Sequence, residues 1–289
     1  MSRLPITKTP KVYVGGAFIR SESGRTFPLK DAHGNFFANV PQCTRKDLRN
    51  AVEAAAKAGP GWAKRTPYNR GQILYRLGEM LEARKADMAD ALTLGGTTSA
   101  PFARREVAAT VDRLIYYAGW ADKYEQVLGS VNPVAAPYFN FTVTEPMGIV
   151  GVIAPEEAPL LGLVSLIAPV IVSGNTVVAL ASGAQPYPAI VLGEMLATSD
   201  LPGGVVNLLT GLHKELVPTF ATHAHLRALS AVANTEERKT LALGATESVK
   251  RTKFWKAEEK TDWFAGKAQS LYAIRDFLEF KTTWHPVGA

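Results

Sequence analysis

The sequence predicts an α/β fold, a parallel sheet covered by helices on both faces, and three observations point to it. Four short apolar runs, Ile149–Ile153, Thr176–Leu180, Val205–Leu209 and Leu226–Ser230, have the length and composition of strands buried on both faces. Helix candidates at Ala158–Val172, Tyr187–Thr198 and His213–Thr222 separate them, and such crossovers are what parallel neighbours require. A chain of 289 residues, 47% hydrophobic and 20% charged, can also bury the core that a layered sheet needs. The alternation is Rossmann-like.

Other kinds of element precede it. Val12-Tyr13-Val14, Gly15-Gly16 and Phe18-Ile19 read as strand, turn and strand, and Gly24 and Gly34 mark later turns. Thr44 and Asp47 form a capping box that starts a helix running to Ala58, where Gly59-Pro60-Gly61 is expected to stop it. Leu74, Leu77, Leu81, Met88 and Leu92 recur at helical spacing, as do Val107, Val111, Leu114, Ile115 and Ala118, which predicts two long amphipathic helices. From Tyr138 to Glu145 the period drops to two, with Phe139, Phe141 and Val143 alternating against Asn140, Thr142 and Thr144. A second alternating segment, Phe277–Trp284, closes a region from Thr246 onward that mixes charges with aromatics and holds three of the five tryptophans. The expected division is 1–245 and a tail, 246–289, with no internal repeat.

Composition narrows the function classes. The single cysteine, Cys43, excludes an intramolecular disulfide and any site needing several thiolates, and it suits a reducing compartment. The net charge of +6 is spread among acids, as in Arg104-Arg105-Glu106, and no recognition motif accompanies it, so nucleic acid is not the expected partner. The longest apolar stretch, Ala158–Val172, contains two prolines and is too short to span a bilayer. With no signal-peptide pattern at its start, the chain is expected in the cytoplasm, without a membrane partner.

Several segments together resemble the aldehyde dehydrogenase superfamily. They are Tyr116-Tyr117-Ala118-Gly119-Trp120-Ala121-Asp122-Lys123, the run from Glu145-Pro146-Met147-Gly148 to Ala154-Pro155, Ser173-Gly174-Asn175-Thr176-Val177-Val178, and Leu201-Pro202-Gly203-Gly204 through Gly211. Their order and joint spacing carry the resemblance over about Val12–Gly211, and the terminal alternating segment resembles the family's C-terminal tail. What it implies is a shortened, catalytically degenerate member lacking most of the catalytic domain: 1–245 would be a degenerate nucleotide-binding-like domain, and 246–289 a tail with an oligomerisation-type strand.

The family's chemistry needs a cysteine nucleophile beyond the nucleotide fold, and none follows position 43. Its oxyanion-holding Asn, in Pro-Trp-Asn-Phe-Pro, aligns with Glu157 in Pro155-Glu156-Glu157-Ala158-Pro159, where a carboxylate would repel developing negative charge. Its general-base Glu, in Leu-Glu-Leu-Gly-Gly, is matched best by Ala242 in Leu241-Ala242-Leu243-Gly244-Ala245, which takes no proton. The Lys and Glu that hold the adenosine ribose align with Leu180 and Gly183. The Gly-Ser-Thr turn that opens the pyrophosphate-binding helix falls near Val232-Ala233-Asn234-Thr235 without a glycine, and Ser230–Leu241 looks too short for the whole helix. No cofactor is expected, NAD and NADP included, and no metal: His223 and His225 lack a third ligand.

Simpler roles stand beside the chemical ones. Cys43, just before a helix cap, reads as a hydrophobic staple against Leu48. Glu156 and Glu157 read as acids at a solvated helix start. Phe139, Phe141, Phe277, Phe280 and Trp284 are interface candidates, because in the family such segments build a sheet through which subunits associate; the alternative is that they close the chain's own sheet. The resulting expectation is a pseudoenzyme subunit assembling with itself or with a full-length active aldehyde dehydrogenase. Two alternatives are a nucleotide-binding sensor and a subunit of a composite NAD(P)-dependent aldehyde oxidoreductase.

Overall fold

The computed structural model describes residues 8–288. Strands β1 (Val12–Val14) and β2 (Ala17–Ile19) form a hairpin whose turn, Gly15-Gly16, has φ of 63° and 85°, the left-handed pair that a two-residue turn between twisted strands demands. A second hairpin, β3 (Thr26–Lys30) and β4 (Phe36–Pro41), contains Gly34 in its turn. Helix α1 (Arg45–Ala63) begins at the expected capping box, with the Thr44 N–H donating to Asp47 at 2.7 Å. It does not stop at Gly59-Pro60-Gly61. Proline removes a helical N–H, but the added turn brings Trp62 into the core, where its indole N–H donates to the Ile171 carbonyl at 2.9 Å. Tertiary burial overrides the local breaker.

The first of the two expected long helices is divided. Helices α2 (Pro67–Ala83) and α3 (Lys85–Thr93) flank Arg84, whose φ of −111° and ψ of 27° leave the helical region. The second, α4 (Ala100–Trp120), is continuous, and α5 (Tyr124–Leu128), β5 (Ser130–Asn132) and β6 (Tyr138–Pro146) follow.

The predicted alternation then unfolds as β7 (Ile149–Ile153), α6 (Leu161–Val172), β8 (Thr176–Leu180), α7 (Tyr187–Leu196), β9 (Val206–Leu209), α8 (His213–Thr222), β10 (Leu226–Ala233), α9 (Thr235–Thr246) and β11 (Arg251–Lys256). These strands are parallel, and the whole sheet runs β11-β10-β7-β8-β9-β1-β2, with β1 antiparallel to β9. One apolar cluster joins α6 and α7 to one face, and a second joins α1, α8 and α9 to the other. This is a Rossmann-like, doubly wound sheet. Its strand order reverses between β7 and β10, the switch point outside which such sheets bind ligands.

At the end of this region helix α9 runs twelve residues from Thr235, past Leu241 to Thr246, so the interval Ser230–Leu241 holds only its first seven residues. The line expected at residue 245 does not separate two sheets, because β11 pairs with β10 from Ala228↔Arg251 to Ala233↔Lys256. After β11 the chain passes through α10 (Leu271–Arg275) to β12 (Leu278–Pro286). Strands β12, β6 and β5 form a separate antiparallel sheet, with β12 and β6 paired from Leu278↔Pro146 to Pro286↔Tyr138. No helix among the described residues is long and apolar enough to cross a membrane.

Candidate functional site

A cavity of about 160 Å³ opens at the switch point, lined by Ala154, Glu156 and Glu157 beyond β7, Val232 and Asn234 at the end of β10, and His213 and Glu237 from the flanking helices. The turn after β7 is sharp. Ala158 sits at φ 49°, a conformation that costs an alanine strain, and the next helix presses so closely that a Cβ on Gly162 would lie 2.2 Å from Pro155 Cγ. Glycine at 162 is a steric requirement of this bend.

The acids of the turn do not serve the helix beside it. The first amides of α6, Leu160 and Leu161, donate instead to Glu106 Oε1 at 2.9 and 3.1 Å, reaching from α4. Burial raises the Glu106 pKa, opposed by those two N–H groups. Glu156 turns the other way and grips the loop after β8, accepting from Ser182 Oγ at 2.6 Å, Gly183 N at 3.0 Å and Ala184 N at 2.7 Å. The reading of Glu156 as a solvated helix start is thereby corrected. Glu157 is exposed on the cavity wall.

Across the cavity, α9 begins with a capping box: Asn234 Oδ1 accepts from Glu237 N at 2.9 Å, and Glu237 Oε2 accepts from Asn234 N at 3.1 Å. Glu258, from beyond β11, takes the Thr235 N–H at 2.8 Å and its hydroxyl at 3.1 Å. Glu237 also holds His213 Nδ1 at 3.0 Å, while His213 Nε2 stands 3.9 Å from Glu156. Burial pushes the His213 pKa down, but the Glu237 bond and the fields of Glu237 and Glu156 outweigh it and raise the value. The His213 bond in turn lowers the Glu237 pKa, against desolvation. The site thus sets His213, bonded to Glu237, beside Glu156, between the α9 N-terminus and the loop after β8.

A dinucleotide does not fit this arrangement. At the α9 N-terminus, where phosphates would be received, the Asn234 and Thr235 N–H groups already donate to Glu237 and Glu258, and in the loop after β8, matched to the ribose contacts, Gly183 and Ala184 donate to Glu156. Carboxylates stand where phosphate charge would have to enter, and about 160 Å³ is below the size of ordinary small-molecule sites.

The structure disperses the positions picked out by resemblance. Leu180 is buried in the core at the end of β8, and Gly183 contributes only its amide. Ala242 lies on the exposed side of α9, whose buried residues are Leu241, Gly244 and Ala245. Cys43 is buried in one cluster with Leu48, as a staple requires, and burial, with the Asp47 charge, pushes its thiol up to about 12. It is no thiolate at neutral pH. Among the described residues no group of three or more His, Cys, Asp or Glu could hold a metal ion.

The interface candidates divide. In the three-stranded sheet Phe139 and Phe141 share one face, and Phe280 and Trp284 share the other, with Phe139, Phe280 and Trp284 exposed. Phe277 precedes β12 and is 2% exposed within the larger core cluster, its carbonyl accepting from Asn175 Nδ2 at 2.8 Å. It is a core residue, which corrects its assignment to the interface.

Sequence reasoning missed Glu106, His213, Glu237 and Glu258. One signal was available: Asn234-Thr235-Glu236-Glu237 has the same capping-box spacing as Thr44–Asp47.

The fold has counterparts among known proteins. A model of the aldehyde dehydrogenase family matches residues 18–254. The chain belongs to the aldehyde dehydrogenase family. It is 33% identical over 248 residues to retinal dehydrogenase 2 of Mus musculus, covering 83% of this chain and 47% of that protein. It is 30% identical over 247 residues to the putative aldehyde dehydrogenase DhaS of Bacillus subtilis (strain 168), covering 84% and 49%. An NAD+ complex of aldehyde dehydrogenase from Bacillus cereus superposes with a TM-score of 0.81 at 25% identity, over 86% of this chain and 50% of that one. This aldehyde dehydrogenase relative therefore spans about half the length of the curated proteins it matches.

Proposed function

We propose that this aldehyde dehydrogenase relative is a non-catalytic subunit that assembles through its three-stranded sheet, with a second copy or with a full-length active member of the family. The observation that carries this reading is the self-filled crevice: Glu237 and Glu258 hold the amides at the α9 N-terminus that a dinucleotide's phosphates would need, and Glu156 ties down the loop after β8. A carboxylate at 157, matching the family's oxyanion-holding Asn, adds the wrong charge for acyl chemistry. The ribbon supports the second half of the proposal, because it presents exposed aromatics on both faces, and aromatic anchors of this kind dominate protein interfaces. The proposed setting is the cytoplasm, a reducing compartment with which a single buried cysteine is compatible.

Co-purification followed by native mass spectrometry tests assembly, with oligomers as the expected result. A strictly monomeric chain that also ignores active relatives from its own cell would overturn the proposal. Calorimetry with NAD and NADP tests the crevice: no saturable heat is expected, and saturable binding would favour the nucleotide-sensor reading.

A further inference from the structure

The ribbon has two edges of unequal length. One is β5, with three residues; the other is β12, nine residues long and paired to β6 from end to end without a bulge. Long regular edges invite another strand, and natural chains blunt them with charge, bulges or proline. In β12 the only proline is the last residue, and the charges, Glu279 and Lys281, are taken up inside the chain by Arg251 and Glu145. We propose that two copies of this chain pair β12 with β12 about a two-fold axis at Thr282, so that their ribbons fuse into one continuous antiparallel sheet. This rests on the assembly proposed for the ribbon and commits it to one partner, a second copy, and to one mode, edge to edge.

The backbone fixes which groups are free. Just beyond β12 the Val287 N–H donates to the Pro137 carbonyl at 3.0 Å. Bonded positions alternate along an antiparallel ladder, so His285, Thr283, Lys281 and Glu279 bond β6, while Leu278, Phe280, Thr282 and Trp284 turn their N–H and C=O groups to the open side. Two contacts agree: Pro146, which has no N–H, stands opposite Leu278, and the outward Leu278 carbonyl accepts from Arg251 Nη1 at 2.7 Å. Among the described residues nothing bonds the outward groups of Phe280, Thr282 and Trp284.

Those free residues are symmetric about Thr282. A two-fold axis there sets Thr282 against Thr282 of the second copy and Phe280 against its Trp284, each pair exchanging both backbone bonds. The side chains match in the same register. Phe280 and Trp284, both exposed, lie on one face and would form aromatic cross-strand pairs with their counterparts. Between them a polar row already crosses the ribbon, Asn132 Nδ2 donating to Thr142 Oγ1 at 3.0 Å and Thr142 standing 2.9 Å from Thr282 Oγ1, and it would continue into the second Thr282. The bodies of the two copies do not compete for space, because each joins its ribbon at the Leu278 end and the antiparallel pairing puts those ends about 30 Å apart.

Sedimentation velocity of the full chain across a concentration series, with two variants of the axis residue, tests the proposal. The wild type is expected to dimerise. Thr282→Pro removes an N–H that β6 does not use, as edge strands tolerate, so the melting temperature should hold while the dimer weakens about tenfold or more. Thr282→Cys, opposite itself on the axis, should cross-link as a dimer under mild oxidation by copper phenanthroline, whereas His285→Cys, whose counterpart lies about 20 Å away, should not. Cys43 is buried and does not interfere. An undiminished dimer in Thr282→Pro, or cross-linking at 285 as ready as at 282, would overturn edge pairing and leave assembly through the ribbon's faces standing. A wild type that is monomeric alone but joins an active relative would overturn the second copy as partner, and monomers in both settings would remove the assembly as well. The cross-linking comparison decides the matter even if proline disturbs the ribbon.

Discussion

The switch-point crevice and the three-stranded ribbon answer the same problem, unsatisfied surface, in opposite ways. At the crevice the Gly183, Ala184, Asn234 and Thr235 amides each meet a carboxylate of the same chain, so the region is closed in on itself. At the ribbon the strands pair with one another but the side chains are not covered: Val131 is 67% exposed, Trp284 58% and Phe139 46%. A polar site can be silenced by a few local acids, whereas an apolar face needs another surface to cover it. The contrast points outward from the crevice to the ribbon.

The largest effect is expected at Glu106, the buried acid that fixes the crevice wall. Glu106→Ala leaves the Leu160 and Leu161 amides without their acceptor in the core, and a loss of about 3 kcal/mol in urea unfolding is expected. Glu106→Gln should cost less and also change the pH response. Because burial raises the folded pKa above its ordinary 4.5, wild-type stability from this group is complete below that value and is lost as pH rises through the folded pKa. The glutamine variant should lack that decline.

At the ribbon the expected effects reverse. Trp284→Ala should change monomer stability by less than about 0.5 kcal/mol while weakening self-association or association with an active relative by about 2 kcal/mol, read as a shift in the concentration at which complexes appear. Equal loss in both quantities would mean that Trp284 supports the chain's own fold.

Smaller effects sharpen the picture. His213 has a raised pKa, so its stabilisation is complete below 6.5 and disappears as pH rises through the folded value; Glu237, with a lowered pKa, contributes above 4.5 and loses its share as pH falls. Their pairing is strongest between those limits, and His213→Gln should flatten the decline in melting temperature above pH 6.5. An unchanged slope would remove His213 from the account. Smallest of all, Lys281→Gln severs an exposed pair with Glu145 across β12 and β6, with an expected cost below about 1 kcal/mol.

Local pattern made much of this fold legible. The buried parallel strands announced themselves as apolar runs, and the capping box at Thr44 located α1 to the residue. What escaped was settled by distant contacts. Strand β11 reads Arg251-Thr252-Lys253-Phe254-Trp255-Lys256, a charge-rich run that disguises a strand and that sheets tolerate at an edge. Pro60 signals a stop that Trp62 overrides by burying its ring more than a hundred residues away in sequence, against Ile171. The alternation at Phe277–Trp284 marks an extended segment, which β12 forms from Leu278 onward, but no period of two tells which neighbour covers Phe277. In the crevice, Glu106 and Glu258 reach their amides from other elements, which no spacing rule reveals, while the Asn234–Glu237 box was open to reading.

In the proposed role, association takes place at the ribbon and no nucleotide enters the crevice. Native mass spectrometry of the wild-type chain and of Phe139→Ser/Trp284→Ser, each alone and mixed with an active aldehyde dehydrogenase from the same cell, tests it most directly. Oligomers or mixed complexes are expected for the wild type and monomers for the variant; a wild type that remains monomeric in both settings would contradict assembly through the ribbon.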